Sequence, residues 1–402
     1  MPQNTRSDWN VFSASEFDAT ETIPRRIETI AANAPNRLAV KGRDTSFTYG
    51  ELQAYANGVA RLLVGVSGPG ARVVLYLGHG ARVIAALLGV LKAGRAYVPV
   101  DPAYPAARNG LILADADASV IITDNANLAG ARAIAREATR ADGEKTIINL
   151  DEAALSATED VGQLASPDSP ACLIYTSGTT GRPKGVVHTH QTVLHNAYRR
   201  GRVQKITPDD RMTLLYSSSV MGAVHGTFTA LMNGASLFPN NLREETIRGL
   251  IDWIRDEKIT VYHSVATVFR ELASEVPSSD VFANVRLVIF GGERVLRADL
   301  DNVWTCFPKN CSVFAGFGSS ETGTVRGWLL DRNTAFEGDV VPSGYPVPEV
   351  DVRVLTETGE SASPGEPGEI AITSPFIFNG YWRNPDATKS ALIQSPEDPR
   401  LR

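Results

Sequence analysis

The stretch that says most about this chain runs from residue 175 to residue 185 and reads Tyr-Thr-Ser-Gly-Thr-Thr-Gly-Arg-Pro-Lys-Gly. It follows an apolar segment, residues 171–174, that is typical of a buried strand. Three glycines let backbone N–H groups approach a ligand closely, four Ser or Thr hydroxyls add donors, and Lys184 adds a mobile positive charge. This composition predicts a loop that wraps phosphate oxygens, in preference to an ordinary surface turn.

The composition of the whole chain excludes several classes of protein. Its 402 residues predict two or three domains of about 150 residues each. Apolar residues make up 43% and charged residues 21%, which argues against disorder. A net charge of -6 without a basic block argues against a nucleic-acid partner. The polar N-terminus, the short apolar runs and the three cysteines predict a cytoplasmic protein with reduced thiols and no membrane span.

Strand and helix patterns alternate along most of the chain. Such alternation predicts parallel sheets covered by helices, and therefore the α/β fold class. We expect an α/β subdomain over residues 1–170 and a second one, which carries the phosphate loop, over residues 171–340. The remainder, residues 341–402, is expected to be a small β unit, with antiparallel strands over residues 351–355 and 369–373.

A second group of polar residues follows another apolar strand and reads Gly316-Phe317-Gly318-Ser319-Ser320-Glu321-Thr322. If a nucleotide lies on the phosphate loop, Phe317 can stack on adenine and Ser320 can donate to a phosphate oxygen. Glu321 can hold Mg²⁺, which prefers carboxylate and phosphate oxygens. Taken alone, the motif fits a strand-end turn equally well. The segment Gly291-Gly292-Glu293, taken alone, fits an ordinary strand-to-helix turn better than a nucleotide site.

Together these motifs resemble the adenylate-forming superfamily, which comprises acyl-CoA synthetases, luciferases and the adenylation domains of non-ribosomal peptide synthetases. The loop at residues 176–185 matches the superfamily's phosphate-binding signature. Further matches, in order along almost the whole chain, are residues 47–52, 91–102, 316–322, 368–370 and 380–382. Residues 91–102, together with residues 291–293, favour the peptide-synthetase branch.

The resemblance implies the large N-terminal domain of such an enzyme, with two helix-covered, mostly parallel β-sheet subdomains and a small distorted antiparallel β-barrel. Members continue into a Thr-Gly-Asp motif, a hinge and a small C-terminal domain that supplies a lysine. This sequence ends at Arg402, before all three. We therefore expect the C-terminal small domain to be a missing partner, and this chain alone to bind nucleotide weakly and to adenylate poorly.

The resemblance also implies a reaction and the residues that perform it. A carboxylate attacks the α-phosphate of ATP, pyrophosphate leaves, and the acyl group passes from the adenylate to the phosphopantetheine thiol of a carrier protein or to CoA. Catalytic roles fall to Thr176, Lys184, Ser320 and Glu321, with Glu321 on Mg²⁺. The residues implied around ATP are Thr176, Ser177, Gly178, Thr179, Thr180, Gly181, Lys184, Gly292, Glu293, Gly316, Phe317, Gly318, Ser319 and Ser320. The superfamily usually has Tyr in place of Phe317, so stacking remains but a phenolic hydrogen bond does not.

The substrate pocket departs from that of amino-acid-activating relatives. They have Phe-Asp-x-Ser-Val where this chain has Tyr216-Ser217-Ser218-Ser219-Val220, and their Asp pairs with the substrate's α-ammonium. Because an unpaired buried ammonium is costly, Ser217 predicts an aryl, fatty or other simple carboxylic acid. By resemblance, a largely apolar pocket is lined by Ser217, Ser218, Met221, His225, His263, Ile289, Gly291, Gly316, Thr324 and Val325.

Two alternatives stay open. Another acidic residue of the chain could pair with a substrate ammonium. The protein would then be a peptide-synthetase adenylation domain for α-amino acids with an unusual pocket. The chain could also be a non-catalytic module that binds a nucleotide or an acyl group, although the presence of Lys184 and Glu321 argues against a decayed site. A P-loop NTPase is disfavoured, because its motif needs Gly-Lys-[Ser/Thr], whereas Pro183 precedes Lys184 and Gly185 follows it.

Overall fold

The computed structural model describes residues 17–393 except residues 44, 69, 143, 156–158, 178–181 and 277–278. The helices are α1 (Ile23–Asn33), α2 (Tyr49–Val66), α3 (Ala81–Lys92), α4 (Ala106–Asp115), α5 (Leu128–Asp142), α6 (His190–Val203), α7 (Met221–Met232), α8 (Ile247–Asp256), α9 (Ala266–Glu275), α10 (Arg297–Cys306) and α11 (Pro385–Ala391). The strands are β1 (Leu38–Lys41), β2 (Ser46–Thr48), β3 (Arg72–Leu75), β4 (Ala96–Pro99), β5 (Val120–Thr123), β6 (Thr146–Asn149), β7 (Pro170–Ser177), β8 (Pro183–Thr189), β9 (Arg211–Leu214), β10 (Ser236–Pro239), β11 (Val261–Ser264), β12 (Leu287–Phe290), β13 (Ser312–Ser319), β14 (Gly323–Leu330), β15 (Tyr345–Pro346), β16 (Asp351–Leu355) and β17 (Glu369–Thr373). Within this described part, none of the helices combines the length and hydrophobicity needed to cross a bilayer.

Two large, mostly parallel sheets form the frame of the molecule. A nine-stranded sheet has the order β15-β14-β13-β12-β11-β9-β10-β1-β2, and its neighbours from β13 to β1 are parallel. A six-stranded sheet has the order β6-β5-β3-β4-β7-β8, in which the pair of β7 and β8 is antiparallel. This arrangement confirms the predicted α/β fold with two helix-covered, mostly parallel sheets.

Both sheets draw strands from each side of residue 170. Strand β1 belongs to the nine-stranded sheet, where Val40 pairs with Leu237 of β10. Strand β7 belongs to the six-stranded sheet, where Cys172 pairs with Tyr97 of β4. The domain boundary at residue 170 therefore stays a prediction, and it does not coincide with sheet membership.

The region from residue 341 onward contains the two antiparallel strands that the sequence predicts. Strands β16 and β17 pair over their whole length, from Asp351 with Thr373 to Leu355 with Glu369. Within the described residues they form a two-stranded sheet, which takes the place of the predicted β-barrel. Most side chains of these strands are exposed or only partly buried, so they enclose no continuous core that could close a barrel.

The apolar core fills the space between the two large sheets. One cluster joins Val73 and Leu75 of the six-stranded sheet to Val40 and Leu237 of the nine-stranded sheet, through buried residues of α1, α2, α3, α6 and α7. Separate clusters cover the outer faces, with α8, α9 and α10 on the nine-stranded sheet and α4 and α5 on the six-stranded sheet. Helices on both faces explain why the central strands are apolar along their length.

Helices α2 and α3 approach each other closely at Gly89. A Cβ atom at this position would lie 2.5 Å from Val59 Cβ and 2.9 Å from the Ala56 carbonyl oxygen. Gly65, near the end of α2, has no neighbour within 4 Å of such an atom. The two glycines therefore form a matched pair for measuring the packing between these helices.

We expect Gly89→Ala to lower the free energy of unfolding by about 1–3 kcal/mol, because overpacking outweighs the gain in helix propensity. Gly65→Ala is expected to leave the free energy of unfolding unchanged or to raise it by up to about 1 kcal/mol. Urea denaturation followed by circular dichroism measures both. Equal stability of Gly89→Ala and the wild type would contradict the proposed close contact.

Candidate active site

The functional residues predicted from the sequence gather where parallel strands of the nine-stranded sheet end. Strands β9, β11, β12 and β13 are parallel, so their carboxyl ends lie at one edge of the sheet. Tyr216, His263, Gly291 and Phe317 lie in or just after these strand ends. Ligand sites of α/β proteins form at this edge, outside the carboxyl ends of the strands.

A cavity of about 300 Å³ opens at this edge, and we call it the arginine cavity. Its lining residues are Arg200, Tyr216, Val220, Met221, Gly222, His225, His263, Ile289, Phe290, Gly291, Gly292, Phe314, Gly316, Phe317, Gly318, Ser319, Ser320, Gly323 and Thr324. The predicted pocket residues that it brings together are Met221, His225, His263, Ile289, Gly291, Gly316 and Thr324. An added Cβ at Gly291 would meet nothing within 4 Å, so this glycine leaves open space in the wall.

Three predicted pocket residues lie elsewhere. Ser217 and Ser218 line a separate cavity of about 480 Å³, where the Ser217 hydroxyl donates to Asp101 Oδ2 at 2.7 Å. Val325 packs with Val347 and Val350. Neighbouring side chains in extended backbone point to opposite sides, so when Thr324 lines the arginine cavity, Val325 faces away from it. The predicted substrate pocket is therefore corrected, because Ser217, Ser218 and Val325 do not line the arginine cavity.

A second cavity, of about 500 Å³, adjoins the arginine cavity, and we call it the valine cavity. Its lining residues are Gly292, Glu293, Arg294, Val295, Ala315, Gly316, Phe317, Gly318, Val340, Val341, Pro342 and Ser343. The Phe317 side chain is 40% exposed and borders both cavities. Gly292 has a φ of 85°, in the left-handed region that favours glycine. An apolar space beside an exposed aromatic ring suits a flat heterocycle.

The Glu293 side chain is held by the protein itself. Its carboxylate accepts hydrogen bonds from the backbone N–H of Thr267 at 2.9 Å and from the Thr267 hydroxyl at 2.7 Å. These contacts satisfy a free N–H group in the first turn of α9. Glu293 borders the valine cavity, and its contact with ATP stays a prediction.

The predicted phosphate loop connects β7 and β8. Thr176 pairs with Lys184 and Ser177 pairs with Pro183 at the base of this hairpin. The other predicted loop residues, Gly178, Thr179, Thr180 and Gly181, lie outside the described residues. The antiparallel pairing therefore places the two predicted catalytic residues Thr176 and Lys184 opposite each other.

A short segment, residues 378–382, joins this hairpin to the nine-stranded sheet, and we call it the clamp segment. It pairs with the edge of β8, since the N–H groups of Asn379 and Trp382 donate to the carbonyl oxygens of Val187 and Gly185. The N–H of Phe378, at the start of the segment, donates to the Glu321 carbonyl at 2.7 Å. These bonds hold the hairpin of the six-stranded sheet next to Glu321, which follows a strand of the nine-stranded sheet.

Tyr381 of the clamp segment contacts two predicted catalytic residues at once. Its hydroxyl donates to Glu321 Oε1 at 2.9 Å, and its ring centroid lies 5.3 Å from Lys184 Nζ. Burial and the neighbouring Glu321 carboxylate raise the pKa of Tyr381 to about 12, so the hydroxyl keeps its proton. The sequence offered Gly380-Tyr381-Trp382 only as a family marker, and no local pattern indicated this contact.

Ser320 and Glu321 are oriented through their backbone as well. His188 Nε2 lies 2.8 Å from the Ser320 carbonyl oxygen, and burial lowers the pKa of His188 to about 4. This histidine is therefore neutral near pH 7 and donates to the carbonyl. Tyr381 donates to Glu321 Oε1, and no described residue is found to bond to Oε2; Mg²⁺ commonly takes one or two carboxylates and substrate phosphates as ligands. The donor set fits Mg²⁺ together with a triphosphate, and among the described residues no cluster of three or more His, Cys, Asp or Glu side chains offers a site made of protein ligands alone.

Arg200 is the charged residue in the cavity wall, and the sequence reasoning missed it. Its Nη1 donates to Thr324 Oγ1 at 2.6 Å. Burial lowers the pKa of His263 to about 3 and that of His225 well below its ordinary value, with a further contribution from the charge of Arg200. Both histidines are therefore neutral near pH 7. Helical spacing from Asn196 and Ala197 places Arg200 on the buried face of α6, and this periodicity was the available signal.

A family model described as AMP-binding enzyme matches residues 27–382. The chain belongs to this family. The match confirms the predicted membership in the adenylate-forming group, and it covers both large sheets and the clamp segment.

Curated relatives of this AMP-binding enzyme are much longer proteins. Tyrocidine synthase 3 of Brevibacillus parabrevis is 28% identical over 392 residues, which are 96% of this chain and 6% of that protein. Malpinin synthetase of Mortierella alpina is 30% identical over 396 residues, which are 96% of this chain and 5% of that protein.

Solved structures of similar fold cover nearly the whole chain. The non-ribosomal peptide synthetase FmoA3 in its AMPPNP-bound form has a TM-score of 0.81 and 25% identity, and the match covers 98% of this chain and 42% of that one. The N-terminal subdomain of Klebsiella oxytoca NpsA in complex with 3-hydroxybenzoyl-AMSN has a TM-score of 0.79 and 22% identity, with coverages of 94% and 93%.

Tyr381→Phe tests the hydrogen bond to Glu321. We expect the affinity for ATP in the presence of Mg²⁺ to fall roughly tenfold, because groups that orient a metal ligand contribute about that much. Affinity in the presence of EDTA should not change. Isothermal titration calorimetry measures both values, with Tyr345→Phe, an exposed tyrosine outside the site, as the control. An equal loss with and without Mg²⁺ would contradict a role at the metal.

His263 should make the stability of the protein depend on pH. Its folded-state pKa lies below the ordinary value of 6.5, so below that pH the unfolded chain binds a proton that the native protein does not. The contribution of His263 to stability is therefore complete above pH 6.5 and is lost as the pH falls toward 3. When the pH is lowered from about 7.5 to 5.5, the free energy of unfolding of His263→Gln is expected to fall by about 1.4 kcal/mol less than that of the wild type. Urea denaturation at the two pH values measures this difference, and equal losses would overturn the assignment.

Proposed function

We propose that this chain activates a carboxylic acid that lacks an α-ammonium group. The acid carboxylate attacks the α-phosphorus of ATP, pyrophosphate leaves, and an acyl-adenylate remains. The acyl group then passes to the phosphopantetheine thiol of a carrier protein, with CoA as the alternative acceptor. Membership in the AMP-binding enzyme family supports the adenylation step in general.

The observation that carries this proposal is the position of Tyr381 between Lys184 and Glu321. Its ring centroid is 5.3 Å from the lysine ammonium, and its hydroxyl is 2.9 Å from the glutamate carboxylate. A triphosphate lying along this line would meet Lys184 and Thr176 at one end and Ser320 and Glu321 at the other. That order suits departure of the β- and γ-phosphates as pyrophosphate.

The chemical barrier comes mainly from negative charge that accumulates around the α-phosphorus. Fixed donors lower such a barrier because they are oriented before the reaction begins. The Lys184 ammonium and the hydroxyls of Thr176 and Ser320 would serve as these donors, and Mg²⁺ held by Glu321 would supply further positive charge. Ser320 also lines the arginine cavity, so an acid bound there would already lie near the α-phosphate.

The charge of the arginine cavity supports a substrate without an α-ammonium. Ser217, whose hydroxyl is bonded to Asp101, lines another cavity and does not bear on this point. Among the described residues that line the arginine cavity there is no Asp or Glu, whereas Arg200 contributes a positive charge. An ammonium entering this cavity would meet a cation and no counter-ion, and such burial is costly.

A carrier protein is the better-supported acceptor. FmoA3, of similar fold and 25% identical, is described as a non-ribosomal peptide synthetase. The curated relatives are synthases of which this chain matches 5–6% of the length. Proteins of that size have room for carrier domains on the same chain, whereas CoA would act as a free acceptor.

ATP–pyrophosphate exchange with paired acids tests the proposal, with the chain extended through the C-terminal small domain that the resemblance implies. Each pair differs only by an α-amino group, as in alanine with propionate, phenylalanine with 3-phenylpropionate, and glutamate with glutarate. In the favoured pair, we expect the acid without the amino group to support exchange at least about tenfold faster, because a buried ammonium would be unpaired. Exchange with α-amino acids alone would overturn the substrate class.

Variants separate catalysis from mere nucleotide binding. Lys184→Ala is expected to lower the exchange rate by about 10²- to 10³-fold, as is usual when a preorganised electrostatic contact is removed. Lys309→Ala, an exposed lysine outside the site, serves as the control and should keep the wild-type rate. ATP binding without exchange for any acid would instead favour a non-catalytic nucleotide-binding module.

A further inference from the structure

Arg200 is a buried cation that faces the arginine cavity with most of its donors unused. It lies in the last turn of α6, its exposed fraction is 6%, and it lines the cavity. Within the described part of the chain, its side chain makes one hydrogen bond, from Nη1 to Thr324 Oγ1, and no ion pair. Its buried Nε has no hydrogen-bond partner there. Among the described residues, most N–H donors of this guanidinium therefore have no partner, and a ligand in the cavity that reaches them would supply one.

The neighbouring Arg199 has more partners in the same helix, although its buried Nε also has none among the described residues. Its Nη2 donates to Thr324 O and to Asn196 Oδ1, both at 2.8 Å, and its Nη1 donates to Pro348 O at 3.3 Å. The carboxylate of Glu349 also stabilises its charge. Arg199 has an anion and three acceptors in the protein, whereas Arg200 has one hydroxyl.

Arg200 also sets the charge of the cavity. Burial keeps His225 and His263 neutral near pH 7, and no Asp or Glu is found among the described lining residues. A buried charge without a counter-ion is unfavourable, and a ligand anion that pairs with it removes that penalty. A carboxylate that reaches the free guanidinium donors would form charge-assisted hydrogen bonds with them.

Arg200 and Ser320 line the same cavity from different elements. Arg200 belongs to α6 and donates to Thr324, whereas Ser320 lies in the turn between β13 and β14. Thr324 pairs with Gly318 across that turn, so the partner of Arg200 lies beside the segment that carries Ser320. A short molecule that presents its reacting carboxylate near Ser320 would have room to place a second acidic group against Arg200.

We infer that the acid activated by this chain carries a second carboxylate, which pairs with Arg200 while the first is adenylated. The substrate class is then a short dicarboxylic acid, in keeping with a cavity of about 300 Å³. This inference rests on the proposed adenylation function. It replaces the largely apolar pocket expected from the sequence with one that has a single charged anchor.

Sulfamoyl-adenosine conjugates, which mimic acyl-adenylates, test the inference by isothermal titration calorimetry on the full chain. The conjugates of malonate, succinate and glutarate are compared with those of propionate, butyrate and valerate, so that each pair has equal chain length. We expect at least one dicarboxylate conjugate to bind about 10- to 100-fold more tightly than its partner, as truncating one side of a buried charge pair typically costs.

Variants of Arg200 assign this preference to its side chain. Arg200→Gln, similar in length but neutral, should abolish the preference, and Arg200→Lys should retain part of it. Arg202→Gln, on the same helix but outside the cavity lining, is the matched control and should keep the wild-type preference. Circular dichroism and the midpoint of urea denaturation verify that each of the three variants is folded.

The possible results separate this inference from the function on which it rests. If ATP binds but each monocarboxylate conjugate binds as tightly as its partner, the second carboxylate is excluded while adenylation stands. If Arg200→Gln keeps the preference, the anchor is another residue and the inference is overturned. If the wild type binds neither ATP nor any conjugate, the proposed function fails and the inference fails with it.

Discussion

The candidate site depends on the hydrogen bonds that the clamp segment makes to two different sheets. The hairpin with Thr176 and Lys184 belongs to the six-stranded sheet, whereas Ser320 and Glu321 follow a strand of the nine-stranded sheet. Residues 378–382 bond to the first through β8 and to the second through Glu321. Each such bond contributes only about 0.5–1.5 kcal/mol, but together they fix the distance between residues that, in the proposed function, act on one triphosphate.

Tyr381 is suited to this task because it combines a neutral donor with an aromatic face. Its raised pKa keeps the hydroxyl protonated, so it can hold one oxygen of Glu321 without adding charge. Its ring lies near the Lys184 ammonium, which an aromatic face attracts. Lys184 and Glu321 thereby both contact Tyr381. This arrangement avoids a direct ion pair between them, which would compete with the phosphates for both groups.

Local patterns in the sequence predicted the strands, whereas the grouping of the cavity residues came from the resemblance, and both failed where long-range contacts decide. His263, Ile289 and Gly316 line one cavity because the strands that carry them end at one edge of the sheet. Ser217 and Ser218 were misplaced because they lie in the connection between β9 and α7, whose path no local pattern determines. Arg200 was missed because its partner Thr324 is 124 positions away. The pairing of strands from both sides of residue 170 was missed for the same reason, because these partners too are far apart in the sequence.

The specificity of the arginine cavity would come from repulsion as much as from attraction. Discrimination between two ligands depends on the difference of their binding free energies, and an unfavourable charge contact changes that difference as effectively as a favourable one. With His225 and His263 neutral, Arg200 determines the sign of the charge in the described wall. An ammonium is opposed and a carboxylate is stabilised by the same side chain. A single substitution at this position would therefore change the class of acid that the cavity accepts, while the phosphate-binding half of the site, on other elements, would keep its geometry.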